Sequence, residues 1–290
     1  MVLKTVGILS LGEMGEQWAR VLSSHGVRIC TCSNGRSPRT LEAVQRCGAS
    51  QMENVEDLVK VSDLIVSLVP GGASLDVAGR VAQAIKSTGK NALFLEANAI
   101  SPARAQEIAA LVIQAGGDCI DGGVIGAASQ LTKGTFTVLS GPRANELEAL
   151  GSLGLSVEVV GDKVGQASAL KMMNAGLFHG LTTLMLELLF GAGRWGILPQ
   201  VLRLYERRSP GMLKHLAPLL ETTSRHGHRR SHEMAELLEA FSTVEFSPRS
   251  IATSRDILSE MAHLEPAKSQ EWSEIIATFT EFRQHGTSPR

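Results

Sequence analysis

One short turn constrains the fold of this chain more than any other feature. An apolar run at Thr5–Leu9, carrying Gly7, passes into Ser10-Leu11-Gly12-Glu13-Met14-Gly15, and a helical pattern opens at Glu13. A strand that turns sharply into a helix presents backbone N–H groups at the positive helix end, where an anion such as a phosphate is favoured. Gly12 allows the backbone to approach a pyrophosphate, and Gly15 allows the helix to pack closely on its strand. Ser10 stands where the full G-x-G-x-x-G pattern has its first glycine.

The same strand–helix alternation continues downstream. Apolar strands are expected at Arg28–Thr31, 63–69, 92–95 and near 119–121. Between them lie helical patterns at Glu13–Ser24, Pro38–Cys47, 55–60, 75–86 and Pro102–Gln114. Strands that are apolar throughout, rather than at every second residue, indicate a sheet covered on both faces. Two further strands, 135–139 and 156–160, flank a helix that starts near Pro142. After Gly161 only helical patterns remain, broken near 191–196, 209–211, Gly227 and 247–248. The expected architecture is an α/β Rossmann-type doubly wound parallel sheet, residues 1–162, followed by an all-α C-terminal domain, residues 163–290.

Composition narrows the partners. A formal net charge of -1 gives no support to nucleic acid or a membrane surface as the main partner. The stretch 172–190 approaches membrane-spanning length but carries Asn174, His179 and Glu187, so a buried central helix is expected and a membrane is not. The N-terminal apolar run reads as a strand, not a signal peptide, because Gly12, Glu13 and Gly15 interrupt it. Cys30, Cys32, Cys47 and Cys119 read as reduced thiols of a cytoplasmic protein.

NAD-binding turns usually place a carboxylate about 20 residues on, at the end of the second strand, to hold the ribose hydroxyl. Here that region reads Cys32-Ser33-Asn34-Gly35-Arg36-Ser37-Pro38-Arg39, with no carboxylate and two guanidinium groups. A carboxylate would repel a 2′-phosphate, whereas Arg36 or Arg39 can engage it bidentately, with Asn34 and Ser37 as further donors. NADP(H) is the expected cofactor. Ligands of such sheets bind beyond the carboxyl ends of the strands, which brings in Leu68-Val69-Pro70 and Asn98, the latter as a nicotinamide-ribose contact. Ser101 is placed to cap the helix opened by Pro102.

Lys171 and Asn174 put an amine and an amide one turn apart in an otherwise apolar helix. Hydride transfer at a carbonyl leaves charge on oxygen, and a nearby acid must neutralise it. Burial among Leu170, Met172 and Met173 is expected to lower the lysine toward the range useful for proton transfer.

Four segments carry a family resemblance: the Gly7 to Gly15 turn, the Asn34-Gly-Arg36-Ser37 stretch, Asp121-Gly-Gly-Val-Ile-Gly126, and Gly165 through Asn174. In this order they resemble the β-hydroxyacid dehydrogenase and 6-phosphogluconate dehydrogenase-like superfamily. Arg229-Arg230-Ser-His-Glu233-Met-Ala-Glu236 further resembles its subgroup with a phosphogluconate-dehydrogenase-like C-terminal domain of mostly unassigned substrate. The resemblance implies an oxidoreductase acting on a small hydroxy acid or related alcohol/carbonyl substrate, and a homodimer formed through the helices. It makes Lys171 the general acid/base with Asn174 beside it. Gly123, Val124, Ile125 and Gly126 become a substrate loop together with Lys171. Three positions depart from the family pattern. Ile125 stands where a serine usually binds the substrate carboxylate, Gly123 where a proline is usual, and Ala175 where a second asparagine follows the lysine. Ile125 can offer only its backbone N–H, so the usual carboxylate-bearing acids are poorly matched to this chain.

Two other readings accompany this one: an imine reductase, and a catalytically idle NADP-binding protein of the same fold. Retention of Lys171 favours a C–O over a C–N substrate. His226, His228 and His232 match no usual zinc spacing, and no metal is expected. Arg229, Arg230 and Lys133 remain candidate anion contacts or surface charges. Cys119 is assigned to packing and Glu187 to a buried, partnered carboxylate.

Overall fold

The computed structural model describes residues 2–33 and 38–263. Asn34, Arg36 and Ser37 therefore lie outside the described residues.

The first compact unit is Met1–Lys171. Its strands are β1 (Thr5–Leu9), β2 (Arg28–Thr31), β3 (Ser50–Gln51), β4 (Leu64–Ser67), β5 (Leu93–Glu96), β6 (Asp118–Ile125), β7 (Phe136–Ser140) and β8 (Val157–Gly161). They form one eight-stranded sheet in the order β3-β2-β1-β4-β5-β6-β7-β8. Every pairing is parallel except β6 with β7, so the sheet is mostly, not wholly, parallel. The chain reverses its direction of travel across the sheet between β1 and β4, the point where ligands of such folds bind.

The helices of this unit are α1 (Glu13–Ser24), α2 (Pro38–Cys47), α3 (Val55–Val61), α4 (Ser74–Thr88), α5 (Pro102–Gln114) and the single turn α6 (Ala149–Ser152). They cover both faces, as the apolar strands require. Trp18, Leu22, Val66 and Leu95 belong to the core on one side, and Ile65, Val81, Phe94 and Ile108 to the core on the other. α3 begins with Asn54, whose side chain accepts from the Asp57 N–H at 2.8 Å, and α5 begins with the expected Ser101 cap on the Arg104 N–H at 3.3 Å.

One strand was not expected and two expectations are corrected. The unexpected strand, β3, has only two residues, too few to leave a periodic signal. Pro142 leads not into an α-helix but into a 3-10 segment, Ala144–Glu148, before α6. The segment expected as a loop after Asp121 is strand: β6 continues through Gly122, Gly123 and Val124 to Ile125, antiparallel to β7. Two adjacent glycines disguise it, since they carry no side chain to show the strand's alternation.

α7 runs from Gln166 to Arg194. Its length and composition alone would let it cross a membrane, yet half of its apolar window is buried inside the protein. The boundary expected after residue 162 and the observed division after Lys171 differ by the first turns of α7, which Asp121 and Ser140 tie to the sheet.

The second compact unit is Met172–Arg290. Its described part holds the remainder of α7 with α8 (Leu198–Arg208), α9 (Met212–Glu221), α10 (Thr223–Ser242) and α11 (Arg249–Met261). Leu186, Leu189, Leu216, Leu220 and Ile257 lie in its core. Buried polar pairs join the helices: Thr183 to Ser254 at 2.8 Å and His179 Nε2 to Glu233 Oε2 at 2.8 Å. Glu187, expected to be buried, is exposed.

Candidate active site

Because β1, β4, β5 and β6 run parallel, their carboxyl ends share one edge of the sheet. At that edge the glycine turn connects β1 to α1. Ser10 has φ 78°, a left-handed backbone that a first fingerprint glycine would adopt without strain. A Cβ at Gly15 would lie 2.2 Å from the Ser10 carbonyl oxygen, so this turn admits only glycine there. Among the described residues, no side-chain cap closes the N-terminus of α1. Its first N–H groups and the helix dipole are thus available to an anion, and the turn fits a pyrophosphate.

The other expected cofactor residues divide into two groups. Gly7 lies inside β1, where a Cβ would meet Ser62 Oγ at 2.7 Å, so its part is packing and not contact. Leu11 and Val69 are buried in the two cores and Met14 packs against one of them, leaving their backbone to face a ligand. Gly12, Glu13 and Pro70 are exposed, and Leu68 is half-buried. Arg39, at the start of α2, pairs with Glu13 at 3.0 Å, with both side chains largely in solvent. That pair sets a guanidinium beside the glycine turn. Asn98 is corrected: its side chain is 2 % exposed and already engaged. Its Oδ1 accepts from the Val69 N–H at 2.6 Å and its Nδ2 donates to Ser67 Oγ at 2.9 Å. It fixes the Leu68–Pro70 turn, and its burial, not a lack of hydrogen-bonding capacity, keeps the amide from being presented to a ribose.

Further along the edge, β6 carries the N-terminal turns of α7. Asp121 is fully buried, and all four of its hydrogen bonds are accepted: from the N–H groups of Gly165 (2.8 Å) and Ser168 (3.0 Å), and from the hydroxyls of Ser140 (3.0 Å) and Ser168 (2.6 Å). Ser140 Oγ in turn accepts from the Ala167 N–H at 2.9 Å. A carboxylate at a helix N-terminus satisfies orphan donors and favours the dipole. This cap fixes the position of the turn that bears Lys171. Residues 121, 123 and 125 share one face of β6. A Cβ at Gly123 would lie 2.9 Å from the Lys171 Cβ and 3.1 Å from the Ala167 carbonyl oxygen. The lysine stem therefore rests directly on the strand, and the residue in the usual proline position has to be glycine. Ile125, half-buried, falls on this same face toward the end of the strand.

The apolar collar expected around Lys171 is smaller than foreseen. Met172 is buried, but Leu170 and Met173 are 40 % and 47 % exposed. Lys171 and Asn174 are each half-buried. Glu96, at the end of β5, is the register partner of Asp121 on β6. Its carboxyl is buried and pushed up to about 8, chiefly by burial and further by Asp121; hydrogen bonds from Asn98 and the charge of Lys171 act the other way. Burial likewise pushes the Cys119 thiol well up.

Neither Asp121 nor Glu96 was singled out as a functional residue from the sequence. Asp121 caps a helix 44 residues downstream, a relation no local pattern announces. The only available hint for Glu96 was a carboxylate ending an otherwise apolar strand. Lys133 is exposed. Arg230 is withdrawn as an anion contact. It is 3 % exposed and donates to the Leu219 carbonyl (2.6 Å), Thr223 Oγ1 (3.0 Å) and Thr222 Oγ1 (2.7 Å), cross-linking the α9–α10 turn. Burial lowers it to about 10. Arg229 pairs with Glu233 at 2.6 Å, the same carboxylate that holds His179. His228 lies edge-on to His263, and no cluster of three or more metal-ligating side chains occurs among the described residues.

Comparison with known proteins places the fold that carries this edge. The family of the NAD binding domain of 6-phosphogluconate dehydrogenase matches residues 5–161. The chain belongs to that family. A second match, to a domain of unknown function designated DUF1932, covers residues 192–262. Together they place the chain in the 3-hydroxyacid dehydrogenase-like superfamily. An uncharacterized 28.5 kDa protein of Methanothermus fervidus is 28% identical over 80% of this chain and 88% of its own length. Mitochondrial 3-hydroxyisobutyrate dehydrogenase of Homo sapiens is 28% identical over 58% of the chain, which spans 51% of that enzyme. The solved 3-hydroxyisobutyrate dehydrogenase of Mycobacterium tuberculosis shares the fold, with a TM-score of 0.77, 16% identity, and coverage of 96% of this chain and 99% of that one.

Proposed function

We propose that the protein is an NADP-dependent oxidoreductase that moves a hydride between nicotinamide and a small hydroxy acid or related alcohol/carbonyl substrate. The observation that carries this reading is the seating of Lys171 on Gly123, beneath the Asp121 cap, at the sheet edge that also bears the glycine turn. The cofactor, when bound, supplies the hydride acceptor or donor. Ser10 to Gly15 would hold its pyrophosphate. Arg39, with Asn34, Arg36 and Ser37, would hold the 2′-phosphate that distinguishes NADP from NAD. Lys171 takes the hydroxyl proton as the alcohol is oxidised, or returns it to the oxygen on reduction. Asn174, three positions on, orients the hydroxyl.

Ile125 on the α7 face supports substrates whose group at that end is not a side-chain-bound carboxylate. The homologous 3-hydroxyisobutyrate dehydrogenases support the hydroxy-acid branch of the reading. The reaction is tested by following NADPH formation and consumption across small hydroxy acids, alcohols, ketones and cyclic imines. Lys171→Ala is expected to lower turnover at least ~100-fold while NADPH affinity, read by fluorescence, is kept. Full turnover in that variant would remove the mechanism.

A homodimer through the helices completes the proposal. Met173, Leu177, Leu181, Leu184 and Leu188 recur at helical spacing along α7, and each is exposed. A second copy of the chain would cover this stripe. Analytical ultracentrifugation of Leu181→Glu against the unmodified protein tests it, monomer being expected from the variant alone. Four free thiols support a reducing, cytoplasmic setting.

A further inference from the structure

Glu96 has no place in the chemistry above, yet it is the most unusual ionisable group at this edge. It is 1 % exposed. Its Oε1 accepts from the Asn98 N–H at 3.1 Å, and its Oε2 is buried with no hydrogen-bond partner. A carboxylate anion in that position would forgo the donors that its charge requires.

Its neighbours explain why it stays neutral. Asp121 lies opposite it on β6, and four donors converge on that carboxylate. Two adjacent buried carboxyls do not both ionise readily. The donors assign the charge to Asp121 and leave the proton on Glu96. The other titratable groups facing Glu96 are the Cys119 thiol on β6, itself held protonated by burial, and Lys171 on α7.

We infer that Glu96 is a positioning residue for the Lys171 proton: as a neutral acid it leaves the lysine free to exchange its proton, and as an anion it locks the lysine as an ammonium. This rests on the proposed acid/base role of Lys171. Electrostatic coupling is reciprocal, so the charge of Lys171 eases ionisation of Glu96 to the same extent that ionised Glu96 raises the proton affinity of the lysine. While Glu96 is neutral, the buried carboxyl pair beside the half-buried Lys171 holds a single anion. The lysine proton can then leave for a nascent alkoxide without a second anion holding it back. With Glu96 ionised, near pH 8 and above, that release is opposed.

The experiment uses the full chain without cofactor. Competitive labelling of amines with isotopic acetic anhydride, read by mass spectrometry across pH, gives the midpoint at which Lys171 becomes reactive. In Glu96→Gln this midpoint is expected to fall by about one pH unit, a tenfold change in proton affinity. Glu96→Asp keeps the charge and is expected to keep most of the shift. The reciprocal measurement needs no variant of Glu96. The infrared carbonyl band of a protonated buried carboxyl should fade near pH 8 in the unmodified protein, and persist to higher pH in Lys171→Met. An unmoved labelling midpoint in folded Glu96→Gln overturns the inference, as does a carboxyl band indifferent to Lys171→Met. Turnover separates the two proposals: full activity in Lys171→Ala defeats the proposed function while leaving the coupling of the two side chains intact. In an active enzyme, the pH profile of turnover should show a break near 8 that Glu96→Gln lacks.

Discussion

The N-termini of α1 and α7 sit on the same edge of one sheet, yet the chain treats them oppositely. Among the described residues α1 receives no side-chain cap, and its N–H groups remain available beside a turn kept open by Ser10, Gly12 and Gly15. α7 is closed by the protein's own carboxylate: Asp121 takes the N–H groups of Gly165 and Ser168. Both use the same dipole and the same orphan donors. One is fitted to receive an anion from outside, and the other uses an internal anion to fix a lysine. A helix N-terminus is therefore informative only once the occupant of its donors is known.

Removing the internal anion should have the largest effect. Asp121→Ala leaves two N–H groups and two hydroxyls without their acceptor in a buried setting, a loss of about 3–5 kcal/mol by comparison with other buried ionic networks. Urea unfolding measures it. A loss below about 1 kcal/mol would show that the α7 cap is not what holds this turn on β6. Asp121→Asn keeps the shape but brings an amide that cannot accept on both sides, and should fall between.

The neighbouring carboxyl gives a pH signature of known sign. The native value of Glu96 is about 8 against an ordinary 4.5. Between these values the native state keeps a proton that the unfolded chain has released. Its contribution is therefore complete below 4.5, declines as pH rises, and is lost by about 8. The slope is about 1.4 kcal/mol per pH unit while the native group stays protonated. The difference in unfolding free energy between the unmodified protein and Glu96→Gln, taken from pH 5 to pH 9, should follow that decline and then level. A flat difference would mean that the carboxyl is solvated or ionised in the native state.

At the open terminus the expected effects are smaller and concern ligands. Arg39 pairs with Glu13 in solvent, so the pair itself adds little to stability. If the guanidinium instead serves a 2′-phosphate, Arg39→Ala should weaken NADPH binding about tenfold and leave NADH binding unchanged. Equal losses for both nucleotides, read by fluorescence titration, would assign Arg39 to general electrostatics.

Much of this arrangement was legible before the structure. The limits of β1, β2, α1, α2 and α5 match the sequence expectation because apolar runs there end at strong signals, such as Gly12 and Ser101-Pro102. The Lys171 segment was legible through its polar pair in an apolar helix. What stayed hidden depends on contacts distant in sequence. Asp121 reads as no more than the end of a short strand until Gly165 and Ser168 are brought to it, and Asn98 reads as a ligand contact until Ser67 and Val69 engage its amide. Arg230 has the composition of a surface charge and is buried only because the α9–α10 turn supplies oxygen acceptors.

Ser10 offers the finest distinction between the two termini. It holds φ 78° at the position where a glycine is usual, a conformation that costs a residue with a Cβ about 1 kcal/mol. Ser10→Gly should relieve that strain, but it also frees the unfolded chain, which offsets part of the gain. The net change in unfolding free energy should stay within about 1 kcal/mol, with NADPH affinity unchanged, because the turn is already in the shape the ligand needs. A marked loss of affinity would show that the serine hydroxyl itself contacts the phosphate. The open terminus would then resemble the closed one, with a side chain as well as the backbone completing the anion site.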